Sequence, residues 1–255
     1  MKIRVLGCSG GIGSDLSTTS FLLDDHIMID CGTGVGNLTL PEMKKITHIF
    51  FTHSHLDHVA GLPLLVDTIF DTLCGKPLVI SGSQETITAL KTHLFNNVIW
   101  PDFSIIPSWK EPVIRFEVIE PGQAYAVDGC ELEMIPVNHV VPTMGYRVSC
   151  ERGTFAFSAD TTTNDSFWQR LNELDQLDYL VVECAFANSE LEICKLAYHY
   201  CPDLLASDLK KLKHEPEIYI THLKPGSEDK IMAECHQQIE DRDFKRLQAN
   251  QIIDI

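Results

Sequence analysis

Three imidazoles and a carboxylate fall within six residues, His53-Ser54-His55-Leu56-Asp57-His58, directly after the β-type run Thr47–Thr52. On an extended backbone His53 and His55 point the same way and reach one ion. Asp57 and His58 enter the following turn and helix start, positioned for a second. For any one of these residues a solvated polar strand end is the plain alternative. Four together make a metal-site pattern with a mechanism behind it.

Two ions need further ligands from distant sequence, at strand ends on the same side of a sheet. Three polar residues follow hydrophobic strands in that way: His139 after Glu131–Val137, Asp160 after Thr154–Ser158, and His222 after Glu217–Thr221. Each taken singly has a capping or core-polar alternative. Taken jointly, one ion is expected to be held by His53, His55 and His139, and the other by Asp57, His58 and His222, with Asp160 bridging. Both ions keep an open position for water.

The chain around these residues reads as β-rich, then mixed, then β-rich again. Strands are expected at Lys2–Leu6, Thr19–Leu23, Ile27–Asp30, Thr47–Thr52 and Pro77–Ser81, then at Val113–Glu120, Glu131–Val137, Met144–Ser149, Thr154–Ser158, Asp178–Glu183 and Glu217–Thr221. Helical patterns run from His58 to Thr72 and from Ser83, a candidate N-cap, to Asn96. Others follow at Asp165–Glu173, Glu190–Tyr198, Asp203–Lys213 and Ser227–Arg242. No repeat or low-complexity linker divides residues 1–255, so the expectation is one α/β domain. Its two β-rich halves with helices outside predict an αβ/βα four-layer sandwich. The irregular stretch Trp100–Pro112, with Trp100, Phe103 and Trp109, is a candidate lid or interface, or ordinary loop packing.

Charge narrows the partners. Twenty Lys+Arg stand against 36 Asp+Glu, a formal net charge of −16. Such a chain repels a polyanion such as nucleic acid unless a basic patch or metal ions intervene, while a small anion held by metals remains compatible. Lys210, Lys211 and Lys213 form one short basic run, read as an exposed helix face. No stretch approaches the roughly 20 apolar residues of a membrane span. The first residues are too short an apolar stretch for a signal peptide, and nine cysteines without CxxC spacing fit reduced thiols, mostly small core residues. A cytoplasmic protein is expected.

The ordered elements His53-Ser54-His55-Leu56-Asp57-His58, His139, Asp160-Thr161 and Ile220-Thr221-His222 resemble the motifs of the metallo-β-lactamase superfamily over nearly the whole chain. More narrowly, His55-Leu56-Asp57-His58-Val59-Ala60-Gly61-Leu62 and Thr221-His222-Leu223-Lys224-Pro225 are similar to class II cyclic-nucleotide phosphodiesterases. Val141-Pro142-Thr143-Met144-Gly145-Tyr146-Arg147 and Phe157-Ser158-Ala159-Asp160-Thr161 resemble tRNA 3′-processing endonucleases of the ribonuclease Z type. Glu183-Cys184-Ala185-Phe186 followed by Ala197-Tyr198-His199-Tyr200-Cys201-Pro202 is similar to the phosphodiesterase pattern of a Glu preceding a His-Leu-Thr-Pro element. That resemblance implies His199 as the phosphate-binding or acid histidine and Glu183 as its orienting partner. Tyr200 and Cys201 depart from the pattern's Leu and Thr, and a helix-face histidine is the alternative reading of His199.

The resemblance implies a hydrolase in which two divalent ions, zinc first and manganese or iron also suited, generate a bridging hydroxide. Asp57 counts among the catalytic residues as well as the ligands. The implied reaction opens a small-molecule 3′,5′-cyclic nucleotide to a nucleoside 5′-monophosphate, and the implied assembly is a homodimer. The alternatives are a ribonuclease Z-like endonuclease, a thiolester or lactone hydrolase, or a non-catalytic di-metal module. Bacterial ribonuclease Z enzymes carry a protruding tRNA-binding arm between the third-motif His and the bridging Asp. His139 and Asp160 are only 21 positions apart, so no arm is expected. Asp30, Thr52 and Thr221 are candidates to hydrogen-bond ligating imidazoles, with turn capping the alternative for Asp30. The Gly-rich segments Ser9-Gly10-Gly11 and Gly32-Thr33-Gly34 read as tight turns near the site.

Overall fold

The computed structural model describes residues 1–255. Its strands are β1 (Lys2–Gly7), β2 (Ser20–Leu23), β3 (Ile27–Ile29), β4 (His48–Phe50), β5 (Leu78–Gly82), β6 (Pro107–Ser108), β7 (Glu111–Pro112), β8 (Ile114–Val118), β9 (Ala124–Val127), β10 (Cys130–Val137), β11 (Thr143–Cys150), β12 (Gly153–Phe157), β13 (Tyr179–Glu183), β14 (Glu217–Thr221), β15 (Phe244–Arg246) and β16 (Ile252–Asp254). The helices are α1 (Leu40–Met43), α2 (Leu56–Val59), α3 (Leu62–Thr68), α4 (Phe70–Leu73), α5 (Gln84–Ala89), α6 (Ser166–Leu171), α7 (Leu191–Ala197), α8 (Pro202–Leu209) and α9 (Glu228–Gln238).

Two seven-stranded mixed sheets result, in the orders β16-β1-β2-β3-β4-β5-β8 and β15-β14-β13-β12-β11-β10-β9. In the first, the pairings from β16 to β3 are antiparallel and those from β3 to β8 parallel. In the second, those from β9 to β12 are antiparallel and those from β12 to β15 parallel. The halves therefore share one pairing pattern although their sequences show no repeat.

Side-chain alternation explains the layers. In β2, Phe21 and Leu23 enter the core between the sheets while Leu22 joins the core under the helices of the first half. In β14, Tyr219 faces the other sheet while Ile218 and Ile220 meet the helices of the second half. Strands covered on both faces read as continuous apolar runs, because neither face meets water. The expected αβ/βα sandwich is the observed architecture.

Two expectations need correction. The pattern from His58 to Thr72 is divided among α2, α3 and α4, because Pro63 opens α3 and brings no amide hydrogen to continue a helix from α2. Cys130 and Cys150 are joined in a disulfide: the β10–β11 register pairs Glu131 with Ser149, so one step outward the two cysteines face each other, with Cα atoms 4.5 Å apart. The other seven cysteines are free, and five of them are buried. Within Trp100–Pro112, Phe103 is buried against Phe70 and Phe95 in the first helical layer with Trp100 packed alongside, while Ile105 and Trp109 project, Trp109 75 % exposed. Phe103 is the one buried residue of that segment, and Pro101, Ile105, Pro107, Trp109, Lys110 and Glu111 are exposed. Ser83 does cap α5, accepting the Thr86 amide at 3.2 Å.

Candidate metal centre

The site is built where strands end. β4 leads through Thr52–Ser54 to His55, which caps α2 with extended backbone, and α2 carries Asp57 and His58. β10 delivers His139, β12 Asp160, β13 Glu183 and β14 His222. Asp30, Ala159 and His222 hold left-handed backbone at φ 57°, 53° and 62°. Non-glycine residues in that region are uncommon and concentrate at functional sites, where surrounding structure holds them. Here Cys8 O accepts the His222 amide at 2.9 Å. The glycine turns are close-approach points: a Cβ on Gly10 would stand 2.4 Å from His222 O, and one on Gly32 2.2 Å from Asp57 O.

All seven expected ligands come together. Donor atoms of His53, His55, His139 and Asp160 lie within 4.8 Å of one another, and so do those of Asp57, His58, Asp160 and His222. Asp160 belongs to both sets. Its Oδ2 is 3.7 Å from His53 Nε2 and 3.3 Å from His58 Nε2, and its Oδ1 is 3.4 Å from His222 Nδ1. Asp57 Oδ2 is 3.7 Å from His222 Nε2.

The surrounding bonds aim these nitrogens. Thr52 Oγ1 donates to Asp30 at 2.9 Å and so accepts from His53 Nδ1, also at 2.9 Å. His58 Nδ1 donates to Asp30 Oδ2 at 2.7 Å, and His139 Nδ1 donates to the Tyr198 carbonyl at 2.9 Å. Each ring thereby presents Nε2 to the centre. Thr221, the other candidate support, instead donates to Cys8 O at 3.1 Å and orients no imidazole.

The donor chemistry fits divalent metal. His53 Nε2, His58 Nε2 and both nitrogens of His222 are buried without a hydrogen-bond partner in the protein. Buried polar atoms are ordinarily paired, so nitrogens converging on one carboxylate define a cation site. Burial pulls His53 well below the usual imidazole value, His139 down to about 4 and His222 down to about 3, and a ligating imidazole must be neutral. Burial opposes charge on His58 too, but Asp160 and Asp30 outweigh it and hold that ring well above the usual value. Burial pushes Asp160 up, yet His222 and His58 outweigh this and hold it well below the carboxylate range.

Glu183 and His199 adjoin the same centre, their donor atoms within 4.8 Å of each other and of Asp160. His199 Nδ1 donates to Glu183 Oε1 at 2.6 Å, and the imidazole stacks on His222 with ring centres 5.3 Å apart. Glu183 is fully buried and also accepts the amides of Thr161 (2.8 Å), Ala185 (3.1 Å) and Tyr200 (3.3 Å). Burial raises the Glu183 carboxyl against the pull of His199. Burial depresses His199, but Glu183 outweighs it and the net direction is up.

Residues the sequence did not flag are the Tyr198 carbonyl, aimed by left-handed backbone at φ 55°, and Phe186, whose ring lies 5.7 Å from that of His199 with Lys224 Nζ 5.8 Å from its centre. A surface hollow of about 670 Å³ along residues 215–218 and 241–245 shares no residue with the centre. Donor atoms, not volume, locate the chemistry.

One expected outcome concerns the buried support. Asp30→Asn should weaken metal affinity about 10- to 100-fold, because the amide accepts the His58 and Thr52 protons poorly. Competition with a chromophoric chelator measures it. Unchanged affinity would remove Asp30 from the orienting role.

Two mixed sheets between helical layers, with a His/Asp cluster at their strand ends, are the architecture of the metallo-β-lactamase fold. A family model described as a beta-lactamase superfamily domain matches residues 25–242, and the chain belongs to that family. A probable 3′,5′-cyclic-nucleotide phosphodiesterase of Yersinia pestis is 29 % identical over 207 residues, 72 % of this chain and 58 % of that protein. A ribonuclease Z of Clostridium acetobutylicum is 26 % identical over 245 residues, 90 % of this chain and 77 % of that protein. Several other curated relatives are matched over only 47–49 % of their length. The crystal structure of the metallo-beta-lactamase fold protein YhfI of Bacillus subtilis superimposes with a TM-score of 0.78 at 19 % identity, covering 99 % of this chain and 98 % of that one. No helix is long and apolar enough to cross a membrane.

Proposed function

We propose that this chain is a dinuclear-metal phosphodiesterase that opens 3′,5′-cyclic nucleotides to nucleoside 5′-monophosphates. The observation that carries the reading is the Glu183–His199 pair, 2.6 Å apart and converging with Asp160 beside the two donor sets. A centre that only held metal would not need a buried carboxylate–imidazole pair at its edge.

His53, His55 and His139 would hold one ion and Asp57, His58 and His222 the other, with Asp160 shared; the nitrogen-rich set suits zinc first, with manganese or iron also accommodated. When bound, the ions supply Lewis acidity and neutralise charge on the phosphoryl oxygens. The chain's own groups do the rest. A water oxygen bonds to phosphorus, the bond from phosphorus to the ribose 3′ oxygen breaks, and His199 Nε2 gives that oxygen a proton. Asp57 takes a proton from the water. Glu183, bonded to Nδ1, keeps the His199 ring turned so that Nε2 faces the substrate.

The Yersinia relative's name supports this reading. The Clostridium relative favours a second one, a ribonuclease Z-like endonuclease. Against it stand the net charge of −16 and the connection from His139 to Asp160, which is taken up by β11 and β12. A homodimer belongs to the proposal as the assembly implied by resemblance, and sedimentation would test it. The deciding experiment is turnover of a panel of 2′,3′- and 3′,5′-cyclic nucleotides, bis-p-nitrophenyl phosphate and a precursor tRNA by protein of determined metal content. Cyclic nucleotides opened with the tRNA untouched is the expected result. Cleavage of the tRNA with cyclic nucleotides intact would replace this reading with the second.

A further inference from the structure

Tyr200 stands where the pattern that this segment resembles has leucine, and the structure gives that departure a use. The ring is fully buried, and its hydroxyl donates to Asp208 Oδ2 at 2.6 Å. Asp208 lies in α8, itself fully buried. A leucine would fill such a space without desolvating a hydroxyl and a carboxylate. Two buried polar groups in its place recover that cost only through directional bonds, and direction is what an apolar contact lacks.

Asp208 gathers more than Tyr200. Its Oδ2 also accepts Trp168 Nε1 at 3.1 Å and the Asn164 amide at 3.0 Å, and Lys211 Nζ lies 2.8 Å from Oδ1. Lys211, half-buried at the surface and also paired with exposed Asp165, is therefore pinned to a buried carboxylate and not simply part of an exposed basic face. From Asn164 the bonds lead back to the centre. Asn164 Nδ2 donates to Thr161 Oγ1 at 3.0 Å, and the Thr161 amide donates to Glu183 Oε1 at 2.8 Å. Glu183 Oε1 takes His199 Nδ1, and His199 is the chain neighbour of Tyr200. The path closes into a ring: Asp208, Asn164, Thr161, Glu183, His199, Tyr200 and Asp208 again.

We infer that Asp208, acting through Tyr200, is a positioning residue that fixes the His199 imidazole relative to Asp160. The inference rests on the reading of His199 as the proton donor. Two buried carboxylates hold the same two loops at different points. Glu183 grips the His199 ring and the Thr161 amide beside Asp160. Asp208 grips the next side chain, Tyr200, and the Asn164 amide farther along. The backbone of 198–201 is held as well, the Tyr200 carbonyl accepting the Ala185 amide at 3.0 Å and the His199 amide donating to Cys194 O at 3.1 Å, so Asp208 adds the hold on the Tyr200 side chain. With both grips, ring and carboxylate keep one separation. The Tyr198 carbonyl accepts His139 Nδ1 at 2.9 Å, so the same clamp also steadies a metal ligand.

The test uses leaving groups. A ribose oxygen departs as a strong base and needs a proton, whereas p-nitrophenolate departs without one. A displacement on the order of 1 Å costs about a hundredfold in a positioned reaction. Tyr200→Phe keeps the ring and removes the bond. In full-length, metal-loaded protein, its kcat on 3′,5′-cyclic nucleotide should fall about 10- to 100-fold, at least tenfold more than its kcat on bis-p-nitrophenyl phosphate, with metal content retained. Asp208→Asn should give the same split and serves if the first variant folds poorly. Nitrogen-15 spectra of the histidines should show the His199 Nδ1 resonance shifted in either variant.

A parallel fall on both substrates, or an unmoved His199 resonance, would overturn the inference. His199→Ala separates it from the reading beneath. If that variant shows no leaving-group split, the proton-donor assignment fails. If it splits and the Tyr200 and Asp208 variants do not, only the positioning role fails.

Discussion

Asp160→Ala should lower kcat/KM for cyclic nucleotide by about a thousandfold or more and reduce bound metal from two equivalents toward one. The size follows from what the carboxylate does. Asp160 lies in both donor sets, within 3.7 Å of His53, His58 and His222, and is 2 % exposed. Without it the buried imidazoles around the centre lose their shared anion, and one or both ions lose affinity. Lewis acidity at such a site is worth several kcal/mol of barrier, and about 1.4 kcal/mol is tenfold in rate. Metal analysis of the purified variant together with steady-state kinetics gives both quantities. Two tightly held ions and near-normal turnover would mean that Asp160 does not bridge.

His199→Ala should leave metal content unchanged and lower turnover of cyclic nucleotide by about 10² to 10⁴, the usual span for a positioned general acid. The metal result separates this variant from the first. His199 lies at the edge of the centre with its Nδ1 committed to Glu183, so its removal leaves the seven expected ligands in place. The cost should be smaller for bis-p-nitrophenyl phosphate, whose leaving group departs unprotonated. Glu183→Gln should follow in the same direction, since the amide accepts the Nδ1 proton more weakly and the ring loses its partner. Loss of metal from His199→Ala would instead make this histidine a ligand, consistent with its nearness to Asp160.

The centre was legible because its residues carry their own geometry. His53 and His55 alternate along one stretch, Asp57 and His58 open a helix, and His139, Asp160 and His222 each follow an apolar strand. Such local patterns survive folding because strand period and helix start are set by neighbours in sequence. What escaped depends on distant chain. β16, Ile252–Asp254, forms by pairing with β1 at the other end of the sequence, and β15 contains Lys245 and Arg246, with no alternation to announce it. Strand propensity is decided by what a strand packs against, which no short window contains.

The same reason hides the Tyr198 carbonyl, whose value lies in a backbone angle, and Asp208, an ordinary acidic helix residue until Tyr200, Trp168 and Asn164 converge on it. Tyr200 and Cys201 looked like departures that weakened the case for His199. In the fold, Cys201 takes the capping position of α8 with extended backbone, and Tyr200 supplies a bond that leucine could not. The disulfide between Cys130 and Cys150 was illegible for a further reason: spacing of 20 residues says nothing until the β10–β11 register is known.

The central claim is a hydrolysis at phosphorus that expels the ribose 3′ oxygen. It is tested most directly by phosphorus-31 NMR of a 3′,5′-cyclic nucleotide incubated in oxygen-18 water with protein carrying two metal equivalents. The predicted result is a single product, the nucleoside 5′-monophosphate, with one oxygen-18 on phosphorus and none on the ribose. Unchanged cyclic nucleotide at full metal loading, or a nucleoside 3′-monophosphate as product, would contradict it.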